Sequence, residues 1–175
     1  MRYVALLRGI NVGGNRKVEM KRLKALFESL GYSGVSTYIN SGNVVFESGK
    51  KHDGICKELA LGMKKEFGFD IQTLVKTEKE MKGIADAIPK QWQNDSAQKT
   101  DVAYLFREID SAKTIDGLPV KKEYIDIRYA PGAIFWNVER KNYNKSHLNK
   151  IISHPLYKMM TVRNVNTARF LARQK

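Results

Sequence analysis

Val35-Ser-Thr-Tyr-Ile-Asn-Ser-Gly-Asn-Val-Val-Phe46 is the stretch on which the fold class turns. Val35 to Ile39 and Asn43 to Phe46 are short runs rich in β-branched and aromatic residues. The Asn40-Ser41-Gly42 between them is turn chemistry, so the stretch predicts a β-hairpin. Upstream, Met1 to Arg8 is apolar and closed by glycine, which predicts a buried strand. Gly9 to Lys17 then forms a loop rich in glycine and asparagine. Met20, Leu23, Leu26, Phe27 and Leu30 recur at helical spacing, with Gly31 as the stop. Downstream, Ile55, Leu59, Met63 and Phe67 mark a second helix, and Ile71 to Val75 a fourth strand. Thr77 caps a further helix reaching Ile88, with Glu80 completing a capping box. The order is β-α-β-β-α-β, a split βαβ.

Pro89 to Thr100 is polar and is expected as a linker. A second round follows: a strand from Asp101 to Phe106, a short helix from Ser111 to Leu118, and strands from Glu123 to Tyr129 and from Ala133 to Glu139. Leu148, Ile151 and Ile152 then suggest a helix, Met159 to Val162 a strand, and Asn166 to Arg173 a last helix. Val4-Ala5 and Arg8 echo Val102-Ala103 and Arg107, and Tyr38 and Gly42 echo Tyr129 and Gly132. The expected fold class is therefore α+β: two tandem ferredoxin-like subdomains, with mainly antiparallel sheets and helices on one face. Residues 1–90 form the first, with its linker helix, and 101–175 the second, with a C-terminal helix, as products of an internal duplication.

The chain has 175 residues, 42% of them hydrophobic, enough for a core and against wholesale disorder. Thirty-one Lys and Arg stand against 18 Asp and Glu, a formal charge of +13. A single cysteine, Cys56, excludes an intrachain disulfide and a cysteine-built zinc site. No apolar run approaches the roughly 20 residues that span a bilayer, and the opening MRYVALLRGI breaks at Arg8 without a signal-peptide pattern. No membrane association is expected, and the cytoplasm is the expected location.

Tyr3-Val-Ala-Leu-Leu-Arg-Gly-Ile-Asn-Val-Gly-Gly14 and Thr37-Tyr-Ile-Asn-Ser-Gly-Asn-Val-Val-Phe46 resemble two segments of the bacterial domain-of-unknown-function family 1697. Thr161-Val-Arg-Asn-Val-Asn-Thr167 resembles that family's closing motif, with Val165 where the pattern has an aromatic residue. The resemblance implies an α+β protein of two similar subdomains and no activity, because the family's biochemical role is unassigned.

Arg8 to Lys17 joins a strand to a helix, where glycine backbone and helix-start N–H groups favour anions. Gly9 and Gly14 have the spacing of a P-loop, yet Asn15 stands where the phosphate-binding Lys belongs, and no Ser or Thr follows for Mg²⁺. Nucleotide hydrolysis is rejected on this ground. In a split βαβ unit the end of strand one and the tip of the hairpin share one edge of the sheet. That edge is expected to gather Arg8, Asn11, Gly13, Gly14 and Arg16 with Asn40, Ser41 and Asn43 as a ligand-binding rim. Arg163, Asn164 and Asn166 complete the candidates, Asn164 or Asn166 being suited to capping and Arg163 to a ligand.

No acidic residue follows Glu139, while basic residues recur to the end. Such a field attracts polyanions. Trp92, Trp136 and Tyr157 are candidate stacking surfaces, although neither half carries the RNP1 pattern of RNA-binding sheets. The three histidines are scattered, Cys56 sits on an apolar stripe, and no catalytic residue can be named. No metal site and no cofactor are expected, and whether the chain is an enzyme stays open. The leading expectation is a protein that binds an anionic ligand, nucleic acid first. A small-molecule enzyme or sensor for a phosphorylated or carboxylated metabolite is the second, and a homodimer built on sheet faces or edges the third.

Overall fold

The structure, a computed structural model, describes residues 1–14 and 16–174. The chain divides into two compact units, Met1–Glu78 and Lys79–Lys175. Each carries a four-stranded antiparallel sheet, so the architecture is mixed α+β.

In the first unit the strands are β1 (Arg2–Leu7), β2 (Ser33–Tyr38), β3 (Asn43–Glu47) and β4 (Thr73–Thr77), in the order β2-β3-β1-β4. Helix α1 (Met20–Ser29) connects β1 to β2, and α2 (His52–Phe67) connects β3 to β4. Side chains alternate along β1. Tyr3, Ala5 and Leu7 join Val44 and Phe46 of β3 on one face, where they pack against Leu23 and Phe27 of α1 and Ile55, Leu59 and Met63 of α2. The i, i+4, i+8 spacing of the α2 trio sets that helix on the sheet. Gly68, at φ +80°, closes the helix in the left-handed conformation. Val4, Leu6 and Val45 point to the other face, and each is 6% exposed or less. The first sheet is thus buried on both sides.

The second unit contains α3 (Glu78–Ala87) from Lys79 onward, β5 (Gln98–Leu105), β6 (Asp126–Ala130), β7 (Ala133–Glu139), β8 (Met160–Asn164) and α4 (Val165–Ala172). Its strand order is β6-β7-β5-β8. One face, with Ala103, Ile134, Trp136 and Met160, is covered by turns that carry Leu118, Leu148 and Ile151. The opposite face, with Val102, Tyr104 and Phe135, is also buried.

Two helices expected from the sequence take a tighter form. Ala112–Gly117 and Leu148–Ser153 are 3-10 segments, and further 3-10 turns run over Arg140–Asn142 and Pro155–Met159. The physical reasons are local. Gly117 precedes a Leu-Pro pair, which cannot continue a helix. His147, at φ +59°, blocks entry from the preceding turn, and Pro155 lies just beyond the second segment. The expected stacking role of Trp92 and Trp136 is also corrected: they are only 5% and 3% exposed. Trp92 lies edge-on to Phe135, at 6.1 Å between ring centroids, with the Arg128 guanidinium 5.0 Å over its ring.

No described helix is long and apolar enough to cross a membrane.

Candidate ligand-binding rim

The loop after β1 is tightly coiled. Gly9, Asn11, Gly13, Gly14 and Arg16 all have positive φ. Asn tolerates this left-handed region better than other side-chain-bearing residues because its short amide bonds locally. Asn11 does so on three sides. Its Oδ1 accepts from the Val18 N–H at 2.8 Å, and its Nδ2 donates to the carbonyls of Val18 and Asn40, each at 2.9 Å. The bond to Asn40 ties the loop to the hairpin turn 29 residues away. A second tie runs from the Leu7 N–H to the Gly42 carbonyl at 2.8 Å.

Gly42 fits this junction because it has no side chain. At φ +75° a Cβ there would lie 2.7 Å from both Leu7 and Ile10. Ile39, β-branched and half exposed, also has a left-handed backbone, φ +49°, which is costly for such a residue.

The sequence-predicted residues divide by burial. Gly13, Gly14, Arg16 and Asn40 are exposed; Arg8 and Ser41 are half-buried. Arg8 donates to the Gln72 side chain at 3.4 Å, while its N–H donates to the Gln72 carbonyl at 2.9 Å. The Arg16 guanidinium stands 5.5 Å over the Phe69 ring. Asn43 is fully buried: its Nδ2 donates to the Tyr38 carbonyl and to Ser41 Oγ, both at 2.9 Å, and so holds the turn from inside. Asn11 likewise acts as a clamp. These two side chains hold the loop and the turn together from within.

The hairpin turn of the second sheet is closed differently. Asp110 accepts from the Gly132 N–H at 2.8 Å and from the Tyr129 hydroxyl at 3.1 Å. A carboxylate there repels an anion, whereas the neutral Asn11 amide does not.

Arg163, Asn164 and Asn166 lie in the second unit. Asn164 caps α4, its Oδ1 accepting from the Thr167 N–H at 2.9 Å. Arg163 is 8% exposed and donates from Nη1 to Thr161 Oγ1 and the Val162 carbonyl, both at 2.9 Å. Desolvation pulls its pKa down to about 10, so it stays charged at neutral pH. Asn166 is exposed and lines a cleft with Arg169 and Arg173.

Residues 1–136 match the family described as a protein of unknown function, DUF1697. The chain belongs to that family. The matched stretch includes the first two motifs of the sequence analysis, which here form β1 with its loop and the β2–β3 hairpin. The third motif, Thr161 to Thr167, lies beyond it and forms the β8–α4 junction. The structure of this DUF1697 protein is also similar, with a TM-score of 0.86, to that of a conserved bacterial protein from Streptococcus pneumoniae. The two share 26% identity over 98% of this chain and 97% of the other. No curated protein matches the chain.

Catalytic chemistry has little to stand on among the described residues. No group of three His, Cys, Asp or Glu side chains there is arranged to hold a metal. Cys56 Sγ lies 3.8 Å from the His52 ring, one helical turn away, a neighbour the sequence reading did not single out. Burial, with Asp53 nearby, pushes the Cys56 thiol above its ordinary pKa, which makes it a poor nucleophile.

Proposed function

We propose that this DUF1697 protein binds an anionic ligand, with nucleic acid as first choice, through phosphate contacts at the rim of residues 8–17 and 39–43. The bond from Asn11 to the Asn40 carbonyl carries the reading, because it ties the loop that holds Arg8, Gly13, Gly14 and Arg16 to the hairpin turn. Consecutive backbone N–H groups in left-handed turns make concavities suited to anions. The excess of 31 basic over 18 acidic residues supplies the long-range attraction. Base stacking on the sheets is not part of this reading, since Tyr104 and Phe135 are buried. Contact is to phosphate, and affinity therefore depends steeply on salt and weakly on sequence.

We further infer that both units are ferredoxin-like split βαβ subdomains, over 1–90 and 101–175, derived by duplication, and that the protein works in the cytoplasm. Equivalent strand orders support the duplication. So do paired corner bonds: Leu7 N–H to Gly42 O at 2.8 Å corresponds to Leu105 N–H to Gly132 O at 3.0 Å.

Fluorescence anisotropy with a labelled oligouridine, titrated across salt concentrations, tests the function. Affinity should fall linearly on a log–log plot, and Arg8→Ala/Arg16→Ala should reduce the slope by about 1.4, at roughly 0.7 per lost phosphate contact on a single strand. Absence of binding at low salt, or an unchanged slope in the variant, refutes it. A thermal shift with a phosphorylated metabolite and none with oligouridine would instead favour the small-molecule alternative.

A further inference from the structure

A cleft of about 820 Å³ in the second unit lies between the segment Lys82–Gln93 and helix α4. Lys82, Lys90, Arg169 and Arg173 line it, with Asp86 as the single carboxylate among the described lining residues. Arg169 is the fixed member. Its guanidinium donates to the carbonyls of Pro89 at 3.0 Å and Lys90 at 3.5 Å and to Gln93 Oε1 at 3.4 Å. All three acceptors are neutral, so they orient the group without cancelling its charge. Burial and the neighbouring Arg173 both lower the Arg169 pKa, burial more strongly. Arg169 and Arg173 stand at i and i+4 on α4, a like-charge spacing that costs an isolated helix a few tenths of a kcal/mol. The helix has no acid in its first turn, and the sequence none after Glu139. A cleft that concentrates like charges around a pre-oriented guanidinium is suited to an anion, which would relieve that repulsion. Phe170, 38% exposed, adds an aromatic wall, and Asn166 an amide.

We infer that this cleft binds a ligand bearing two or more phosphate groups. Four cations within one concave site exceed what a monocarboxylate needs, and the volume falls within the range of small-ligand pockets, roughly 300–1,000 Å³. The inference shares with the rim reading only the sign of the ligand's charge.

Isothermal titration calorimetry with inorganic tripolyphosphate at low salt tests it. The unaltered protein should bind. Arg169→Gln should weaken binding about ten-fold or more, the scale of a lost charge-assisted hydrogen bond. Because Arg169 also ties residues 89–93, the exposed pair Lys82→Gln/Arg173→Gln provides a second test that leaves those ties intact, with the same direction of effect. In the Arg8→Ala/Arg16→Ala background, which removes the rim cations, tripolyphosphate should still bind, and Lys82→Gln/Arg173→Gln should still weaken it. Competition by oligouridine would assign the phosphates to a nucleic-acid backbone, and competition by a nucleoside triphosphate alone would assign them to a nucleotide; both uphold the site. No heat of binding, unchanged affinity in the Lys82/Arg173 pair, or loss confined to the Arg8/Arg16 variant overturns it. If oligouridine fails to bind while tripolyphosphate binds in the expected pattern, the rim reading falls and the cleft stands.

Discussion

Gly42→Ala tests how firmly the loop and the hairpin turn are locked together. Two costs add. The first is conformational: at φ +75° an alanine sits in the left-handed region, at about 1–2 kcal/mol. The second is steric. The new methyl would meet Leu7 Cβ and Ile10 Cδ1, both at 2.7 Å, and both residues are buried. Leu7 cannot retreat, because its N–H is bonded to the Gly42 carbonyl at 2.8 Å and its Cβ is fixed to that backbone. Overpacking of this kind costs about 1–3 kcal/mol. The sum is about 2–5 kcal/mol, a large share of the total stability of an ordinary domain. Gly14→Ala supplies the control: its φ is +78°, but no non-adjacent atom of the described residues lies within 4 Å of the added Cβ, so only the conformational cost applies. The measurement is equilibrium urea unfolding followed by circular dichroism, since both tryptophans, Trp92 and Trp136, lie in the other unit. If Gly42→Ala is no more destabilising than Gly14→Ala, the packed junction of loop and turn is wrong.

Asn11→Ala removes three hydrogen bonds and a residue suited to φ +54°, and should cost about 2–4 kcal/mol; Asn11→Gly, which restores only the backbone freedom, should fall between the alanine variant and the unaltered protein in the same assay. Glu58 accepts from Lys50 at 2.8 Å and from the Tyr32 hydroxyl at 2.8 Å, and these bonds, that of Lys50 foremost, hold its carboxyl below the ordinary glutamate pKa. A depressed folded-state pKa gives stability that is present above the ordinary value near 4.5 and lost as pH falls through and below it. Urea midpoints recorded against pH should therefore drop less below 4.5 in Glu58→Gln than in the unaltered protein, and parallel curves would contradict the linkage.

Much of the first unit was legible because its signals are local. Asn40-Ser41-Gly42 between β-branched runs specifies a hairpin, and the Ile55, Leu59, Met63 spacing specifies which face of α2 turns inward. The loop was legible as a glycine-rich turn, but the task of Asn11 was not, since its partner Asn40 is distant in sequence. The second unit was harder to read. Leu148, Ile151 and Ile152 suit a helix, yet the left-handed His147 and the nearby Pro155 hold that segment to 3-10 turns. The cleft at Arg169 left a faint trace in the i, i+4 spacing of Arg169 and Arg173. The other wall, Lys82 to Gln93, is too far along the chain for that spacing to reveal.

Short-range chemistry wrote the element order, the turn positions and the positive charge into the chain itself, because each depends on residues a few positions apart or on a simple sum. Tertiary packing alone decided which polar groups are spent and which are free. Asn43 and Asn11 are consumed by backbone, Trp92 and Trp136 are buried, and Arg169 is anchored by neutral carbonyls with its charge intact. Burial and hydrogen-bond partnership are properties of what lies opposite a side chain in space, and residues far apart in sequence supply that.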